Sequence, residues 1–409
     1  MRVWNKNFII LWQGQMISDL GNIIFNLTLG FWILNEFNKN LLVFGGVMAL
    51  VAVPRIFLGS FGGTFADKHD RKKILITTDL IRGVLFTFAG LGIMYRFLPI
   101  WASVVIAIIS GICSAFISPA IASSVPELVH VDDLEKANSA RNFSIALAQL
   151  IGNPVGATLF VALSAPVVFI LTGIGFLYAA LTQYFLAIPK HTHVVEKKNM
   201  IQNITEGMRF TMRQKGLRTL VFTAMSINFF SFMGLFLLMP FFKENPALGE
   251  VRYGQVMVAL MVGVLLSSVL LSVFKVKSKY RARVTSAALI VMVGGMIIAS
   301  LSNTFEVIMF VAFFVGAANA VVNVMIQLIA QITVDSENRG KVFGVMGTVI
   351  EGLSPIAMLL GVAVGSLIGT RETIVAAFVM AGVFVFPSMF NKSFRKFINT
   401  EPKQIEEGL

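Results

Sequence analysis

The chain has 409 residues, 56% hydrophobic and only 13% charged, about half the ~25% charge of a soluble domain. Its net charge of +12 does not form a nucleic-acid face, because the cations lie in short clusters between apolar runs. One cysteine, Cys113, sits in an apolar run, and His69, His130, His191 and His193 all lie in polar segments. Disulfides, thiolate metal sites and a membrane-spanning histidine relay are therefore excluded, and no metal or cofactor is expected.

Twelve apolar segments are predicted, each near the ~20 residues that cross hydrocarbon. The first six fall at about 8–34, 41–65, 74–97, 101–124, 141–164 and 166–188. The second six fall at about 216–242, 252–274, 284–302, 305–330, 342–368 and 372–390. The first run is too long for a cleavable signal and lacks a small-residue cleavage site. The predicted fold is thus an all-α integral membrane protein of twelve transmembrane helices in two six-helix halves. Its parts are an N-terminal bundle (1–188), a polar linker (189–215), a C-terminal bundle (216–390) and a tail (391–409). With the N-terminus inside, 26 of the 33 Lys and Arg residues fall on the inner side and 5 on the outer side. The positive-inside rule then predicts a multi-pass protein of the cell membrane with both termini cytoplasmic.

The halves echo each other. Arg141 precedes predicted span 5, which contains Pro154, and Arg339-Gly-Lys341 precedes span 11, which contains Pro355. The basic segment 275–283 takes the place in the second half that 66–73 takes in the first. An internally duplicated transporter fits this pattern.

The stretch Gly63-Thr-Phe-Ala-Asp67-Lys-His-Asp-Arg71-Lys72-Lys73 carries too much charge for the lipid interior and must mark a membrane boundary. It resembles the loop between helices 2 and 3 of the major facilitator superfamily. Further stretches resemble that superfamily's drug:proton antiporter-3 group, which includes macrolide efflux proteins and the enterobactin exporter. They are Leu11-Trp-Gln-Gly-Gln-Met-Ile-Ser18, Asp79-Leu-Ile-Arg82-Gly83, Ser118-Pro119-Ala120, Pro126-Glu127-Leu128-Val129, Ala137-Asn138-Ser139 and Glu206-Gly207. The resemblance implies a lock between the halves, made of Gly63, Asp67, Arg71, Lys72, Asp79 and Arg82, with Asp67 reaching the positive N-terminus of span 11. It also implies a cavity lined by spans 1, 4, 7 and 10. Three positions depart from the group or the wider superfamily: Ser110 stands where proton-coupled drug exporters commonly have an arginine, span 5 reads Gly152-Asn-Pro154-Val-Gly156, and the acid of span 1 is Asp19 while Asn22 follows Gly21.

Polar stripes fall on the expected spans. Gln15, Asp19, Asn22 and Asn26 share one face of span 1, Ser110, Ser114 and Ser118 one face of span 4, and Asn319, Asn323, Gln327 and Gln331 one face of span 10. Thr223, Ser226, Asn228 and Ser231 lie on span 7. Such residues line a cavity or else bond helices together. Three ionisable groups, Asp19, Arg55 and Glu351, fall within spans and are functional candidates. Asp19 and Glu351 either carry a proton or bind substrate, or they pair with Arg55. The expected function is secondary export of an amphipathic small molecule, such as a macrolide-like drug or siderophore, by alternating access and proton-coupled. A lipid translocase and a small-solute importer are the alternatives. The expected partners are the substrate, a proton and membrane lipids, with the chain a monomer. No G-x-x-x-x-G-K-[ST] phosphate loop and no nucleophile–base set occurs, so neither an ATP-driven pump nor an enzyme is expected.

Overall fold

In the computed structural model, residues 4–130, 133–188, 200–274, 276–334, 342 and 352–400 are described. Glu351 lies outside them, and the side chains of Arg55 and Asp67 lie outside the described set as well. Contacts group the chain into unit 1 (Met1–Val195 with Gly249–Val258) and unit 2 (Glu196–Leu248 with Ala259–Leu409).

Unit 1 contains α1 (Lys6–Glu36), α2 (Leu41–Lys68), α3 (Arg71–Met94), α4 (Ile100–Leu128) and α5 (Leu134–Tyr184). Asn5, Asn40 and Asp70 cap α1, α2 and α3, each accepting backbone N–H groups of the first turn. The sequence suggested a loop at 66–73, yet α2 continues to Lys68 and α3 begins at Arg71. Only His69 and Asp70 separate them, because the Asp70 side chain caps α3 at once.

Helix α5 is 51 residues long but leaves helical geometry at Ser164 (φ 66°, ψ 162°), just before Ala165-Pro166. Its two limbs run in opposite directions along α1. In the first limb Gly152 and Gly156 lie against Ile23 and Ile24; in the second, Gly14 and Gly21 of α1 lie against Gln183 and Phe176. The sequence-predicted spans 5 and 6 are these limbs.

Unit 2 contains α6 (Met200–Arg213), α7 (Lys215–Phe236), α8 (Leu238–Glu244), most of α9 (Gly249–Val273), α10 (Ser278–Leu301), α11 (Phe305–Thr333), α12 (Ser354–Ile368), α13 (Thr370–Phe390) and α14 (Lys392–Ile398). Helix α6 falls in the polar linker and packs on α7. Helix α14 falls in the tail, where Phe394 and Ile398 join a buried cluster with Leu217, Leu220 and Ile329.

Among the described residues, nine helical stretches are long and apolar enough to cross a membrane, and two shorter apolar helices, Leu41–Pro54 and Ser354–Ile368, accompany them. One of the nine, Lys136–Tyr184, holds both limbs of α5. The outer faces of these helices are greasy. On α3, Leu80, Val84, Phe88 and Leu91 are exposed at helical spacing while Asp79, Arg82 and Phe86 are buried. A face of that kind suits lipid rather than water.

The units repeat one packing plan. In unit 1, α1 and α3 both pack on α5; in unit 2, α7 packs on α12 and α13, and α10 packs on α13. A second correspondence lies in the glycines. A Cβ on Gly111 would fall on the Val51 carbonyl oxygen, and one on Gly316 would fall on the Leu260 carbonyl oxygen. In each unit, then, a glycine lets two helix backbones touch, as small residues do in membrane bundles.

Gly111→Ala is expected to reduce the yield of monodisperse folded protein and lower its melting temperature. Gly46→Ala, where a Cβ meets nothing within 4 Å, should be neutral or stabilising, since Ala favours helix by roughly 0.5–1 kcal/mol. Fluorescence-detected gel filtration and thermal melting of both variants measure the contrast.

Candidate functional site

The most buried ionisable groups are Asp79 and Arg82, one turn apart on α3, at 0% and 1% exposure. They form a direct ion pair through Asp79 Oδ1 and Arg82 Nη2. A lone charge in such a place would be strongly disfavoured, so every remaining lobe of the pair needs a partner. Asp79 Oδ2 accepts from Ser18 Oγ of α1 at 3.0 Å and from Gln183 Nε2 of α5 at 2.8 Å. Arg82 Nη1 donates to Asn22 Oδ1 at 3.0 Å. The guanidinium also sits over the Phe176 ring, 4.2 Å from its centroid. Beside it the Phe25 and Phe86 rings stack at 3.6 Å, and Phe86 meets Phe176 edge-on at 5.5 Å.

A second polar layer lies on the neighbouring stripe of α1. Gln15 is 2% exposed, and neither amide atom finds a hydrogen-bond partner among the described residues; Ser144 Oγ is in the same position. Both line a cavity of about 10 Å³ with Arg141. That volume is about what one water needs to bridge such groups. One turn beyond Gln15, half-buried Asp19 interacts electrostatically with the Arg141 guanidinium. Trp12 Nε1 donates to the Ala140 carbonyl at 2.9 Å and fixes the two helices in register at this level.

At the start of α3, Arg71 pairs with Glu127 of α4 and donates from Nη1 to the Ser123 carbonyl at 3.0 Å. Lys72 lies over the Tyr184 ring at 5.3 Å. These contacts tie the ends of α3, α4 and α5 together.

The other sequence candidates fall on polar faces. Asn26 is exposed and donates to the Asn22 carbonyl at 2.8 Å. Ser114 donates to the Ser110 carbonyl at 3.0 Å, within α4. On α11, Asn323 donates to the carbonyl and the side-chain oxygen of Asn319 at 2.9 and 3.0 Å. Asn323, Gln327 and Gln331 are all exposed along this stripe. Glu351 lies outside the described residues, and Gly63 and Asp67 are described only as part of the α2 backbone, so the Asp67 arm of the expected lock lies outside the described side chains. Among the described residues no group of three His, Cys, Asp or Glu side chains could hold a metal ion.

Four participants were not singled out from sequence. Gln183 is the one amide in the predicted sixth span, a signal that was available. Ser18 and Glu127 lie in stretches that carried the family resemblance but had no role assigned. Arg141 counted among the loop cations, whereas α5 starts at Leu134 and carries it a full two turns into the helix.

Apolar helices packed twice over to one plan, with a buried ion pair in unit 1, fit a multi-pass membrane protein. The Major Facilitator Superfamily family model matches residues 11–356, and the chain belongs to that family. It is 24% identical to macrolide efflux protein A of Streptococcus pyogenes, over 90% of this chain and 92% of that protein. It is 22% identical to the multidrug efflux pump Tap of Mycobacterium bovis, over 81% and 80% of the two chains. Among solved structures, a bacterial homologue of the human lysosomal transporter Spinster superposes with a TM-score of 0.71 at 13% identity, covering 96% of each chain. The expected likeness to macrolide efflux proteins and the twelve-helix fold both hold.

Arg82→Met is expected to destabilise the protein by about 3–5 kcal/mol, because it leaves the Asp79 carboxylate buried without its counter-ion. The double change Asp79→Leu with Arg82→Met should recover a large part of that loss. Thermal unfolding of the three purified proteins in one detergent measures the difference.

Proposed function

We propose that the chain exports an amphipathic small molecule from the cytoplasm by alternating access, with Asp19 as the group that takes up a proton or a cationic substrate. The observation that carries this reading is the placement of Asp19 on α1. It is an acid inside an apolar helix, half-buried, and set against Arg141 above a small polar cavity. A carboxylate there is retained at a cost that function explains best. Support also comes from α11, where exposed Asn323, Gln327 and Gln331 make a stripe suited to water and not to lipid.

Export is favoured because the similar proteins named above are efflux proteins. On this reading the cell membrane holds the chain with both termini cytoplasmic, as the distribution of Lys and Arg implies. Gly63, Asp67, Arg71, Lys72, Asp79 and Arg82 serve the conformational lock. Within that set, the Arg71–Glu127 pair joins α3 to α4, and the Asp79–Arg82 pair joins α3 to α1 and α5. The substrate contacts Gln15, Asn22, Asn26, Ser114, Asn319, Asn323 and Gln327, and the coupling ion is a proton carried by Asp19, with Glu351 as a second carrier. The working unit is a monomer.

Cells lacking their own exporters and expressing the chain are expected to accumulate less macrolide than control cells. Equal accumulation across a chemically varied antibiotic panel would overturn the export reading. In proteoliposomes, Asp19→Asn should lose at least tenfold of the uptake driven by an imposed pH gradient while keeping downhill exchange. Full pH-driven uptake by the variant would remove Asp19 from the carrier role.

A further inference from the structure

A cavity within unit 2 lies at the start of α10, beside residues 276–283. Its volume is about 420 Å³, within the ~300–1,000 Å³ common for small-ligand pockets. Leu271 of α9 and Val324 and Leu328 of α11 supply apolar walls, and Arg281, Gln327 and Gln331 supply the polar ones. No carboxylate is among its described lining residues.

Arg281 is the informative member. Its Nη1 donates to the Thr400 carbonyl at 2.9 Å, and the neighbouring Ala282 N–H donates to Asn399 Oδ1 at 3.0 Å. The segment after α14 therefore pins the guanidinium in place. Its Nε is buried and has no hydrogen-bond partner among the described residues. A guanidinium that lines a pocket is best met by an anionic oxygen, through a short charge-assisted bond. Gln327 and Gln331, one turn apart on α11, add amide donors on the same wall. Lys277, Lys279 and Arg283 are exposed on the same stretch and raise the local positive potential. A cation is disfavoured here, and a bare anion would leave the apolar walls unused.

We propose that this pocket binds an amphiphile with one anionic headgroup, the phosphate or carboxylate on Arg281 and the amides, the hydrocarbon along Leu271, Val324 and Leu328. Two sources share that chemistry: an anionic phospholipid of the bilayer and a soluble fatty carboxylate. The site shares Gln327 with the substrate face proposed above, but its test reads binding and not transport, so either can fail without the other.

The test is native mass spectrometry of the detergent-purified full chain titrated with phosphatidylglycerol or phosphatidylcholine. Phosphatidylglycerol should bind at least tenfold more tightly. Arg281→Gln should abolish that preference, and Val324→Trp, which fills the pocket without altering charge, should do the same if the first variant folds poorly. Laurate that displaces phosphatidylglycerol assigns the pocket to soluble amphiphiles, and laurate that fails to displace it assigns the pocket to bilayer lipid. Equal binding of the two phospholipids, or a preference that survives Val324→Trp, overturns the proposal.

Discussion

A carboxylate and a guanidinium sealed from both lipid and water organise unit 1. In so dry a place neither Asp79 nor Arg82 is tolerable alone, and even the pair needs its remaining hydrogen-bonding lobes occupied. Three helices supply most of what is needed: Ser18 and Asn22 from α1, the pair itself from α3, Gln183 and Phe176 from the second limb of α5, while buried Arg82 Nε has no hydrogen-bond partner among the described residues. The requirement fixes more than local contacts. It sets the axial register of α1 against α3 and of both against the returning limb, because a slip of one turn would strand a charge. Gly14, Gly21 and Gly83 then give the backbone room, facing Gln183, Phe176 and Leu177 in turn.

Unit 2 follows the same packing plan without the same chemistry. Helices α7, α10, α12 and α13 pair as their counterparts do in unit 1, and glycine at position 316 repeats the backbone contact made at 111. Both units have an apolar cluster, around Phe8, Leu11 and Leu75 at the start of α1 in unit 1 and around Leu217, Leu220 and Ile329 at the start of α7 in unit 2, but at the level of Asp79 and Arg82 the matching helix α10 carries Ser286 and Leu289. Duplication has thus kept the geometry and let the interior diverge. Polar character in unit 2 instead moves to the exposed stripe of α11, where amides at every fourth residue bond to their own helix or face outward.

The sequence showed the spans well because hydropathy is an additive property of twenty-residue windows, and the helices around Leu80–Leu91 or Ile100–Leu128 need no tertiary information to declare themselves. The i, i+3 spacing of Asp79 and Arg82 likewise made their pairing readable. What stayed hidden depended on which helices meet. Gln183 lies 104 residues from Asp79, and nothing local to either residue indicates that they touch. Asn22 shares a face with Asp19 on a helical wheel, yet the structure gives its side-chain oxygen to Arg82. Arg141 looked like a loop cation because its neighbours Asn138 and Ser139 are polar, whereas the hydrogen bond from Trp12 to Ala140 sets that level against the body of α1.

Helix α1 therefore serves two masters on adjacent stripes. Ser18 and Asn22, one turn apart, hold it to α3, while Gln15 and Asp19, also one turn apart, face the first limb of α5 and Arg141. A proton or cation arriving at Asp19 would weaken its attraction to Arg141 and leave the Asp79 network intact. The change in force would fall in part on the α1–α5 contact, at the level where Trp12 and the small cavity sit. A carrier group so placed can alter one helix interface without loosening the rest of its bundle, which is the mechanical condition for a half that rocks as a body. On the reading proposed above, this division of α1 into two stripes is what favours Asp19 over Asp79 as the residue on which coupling would act.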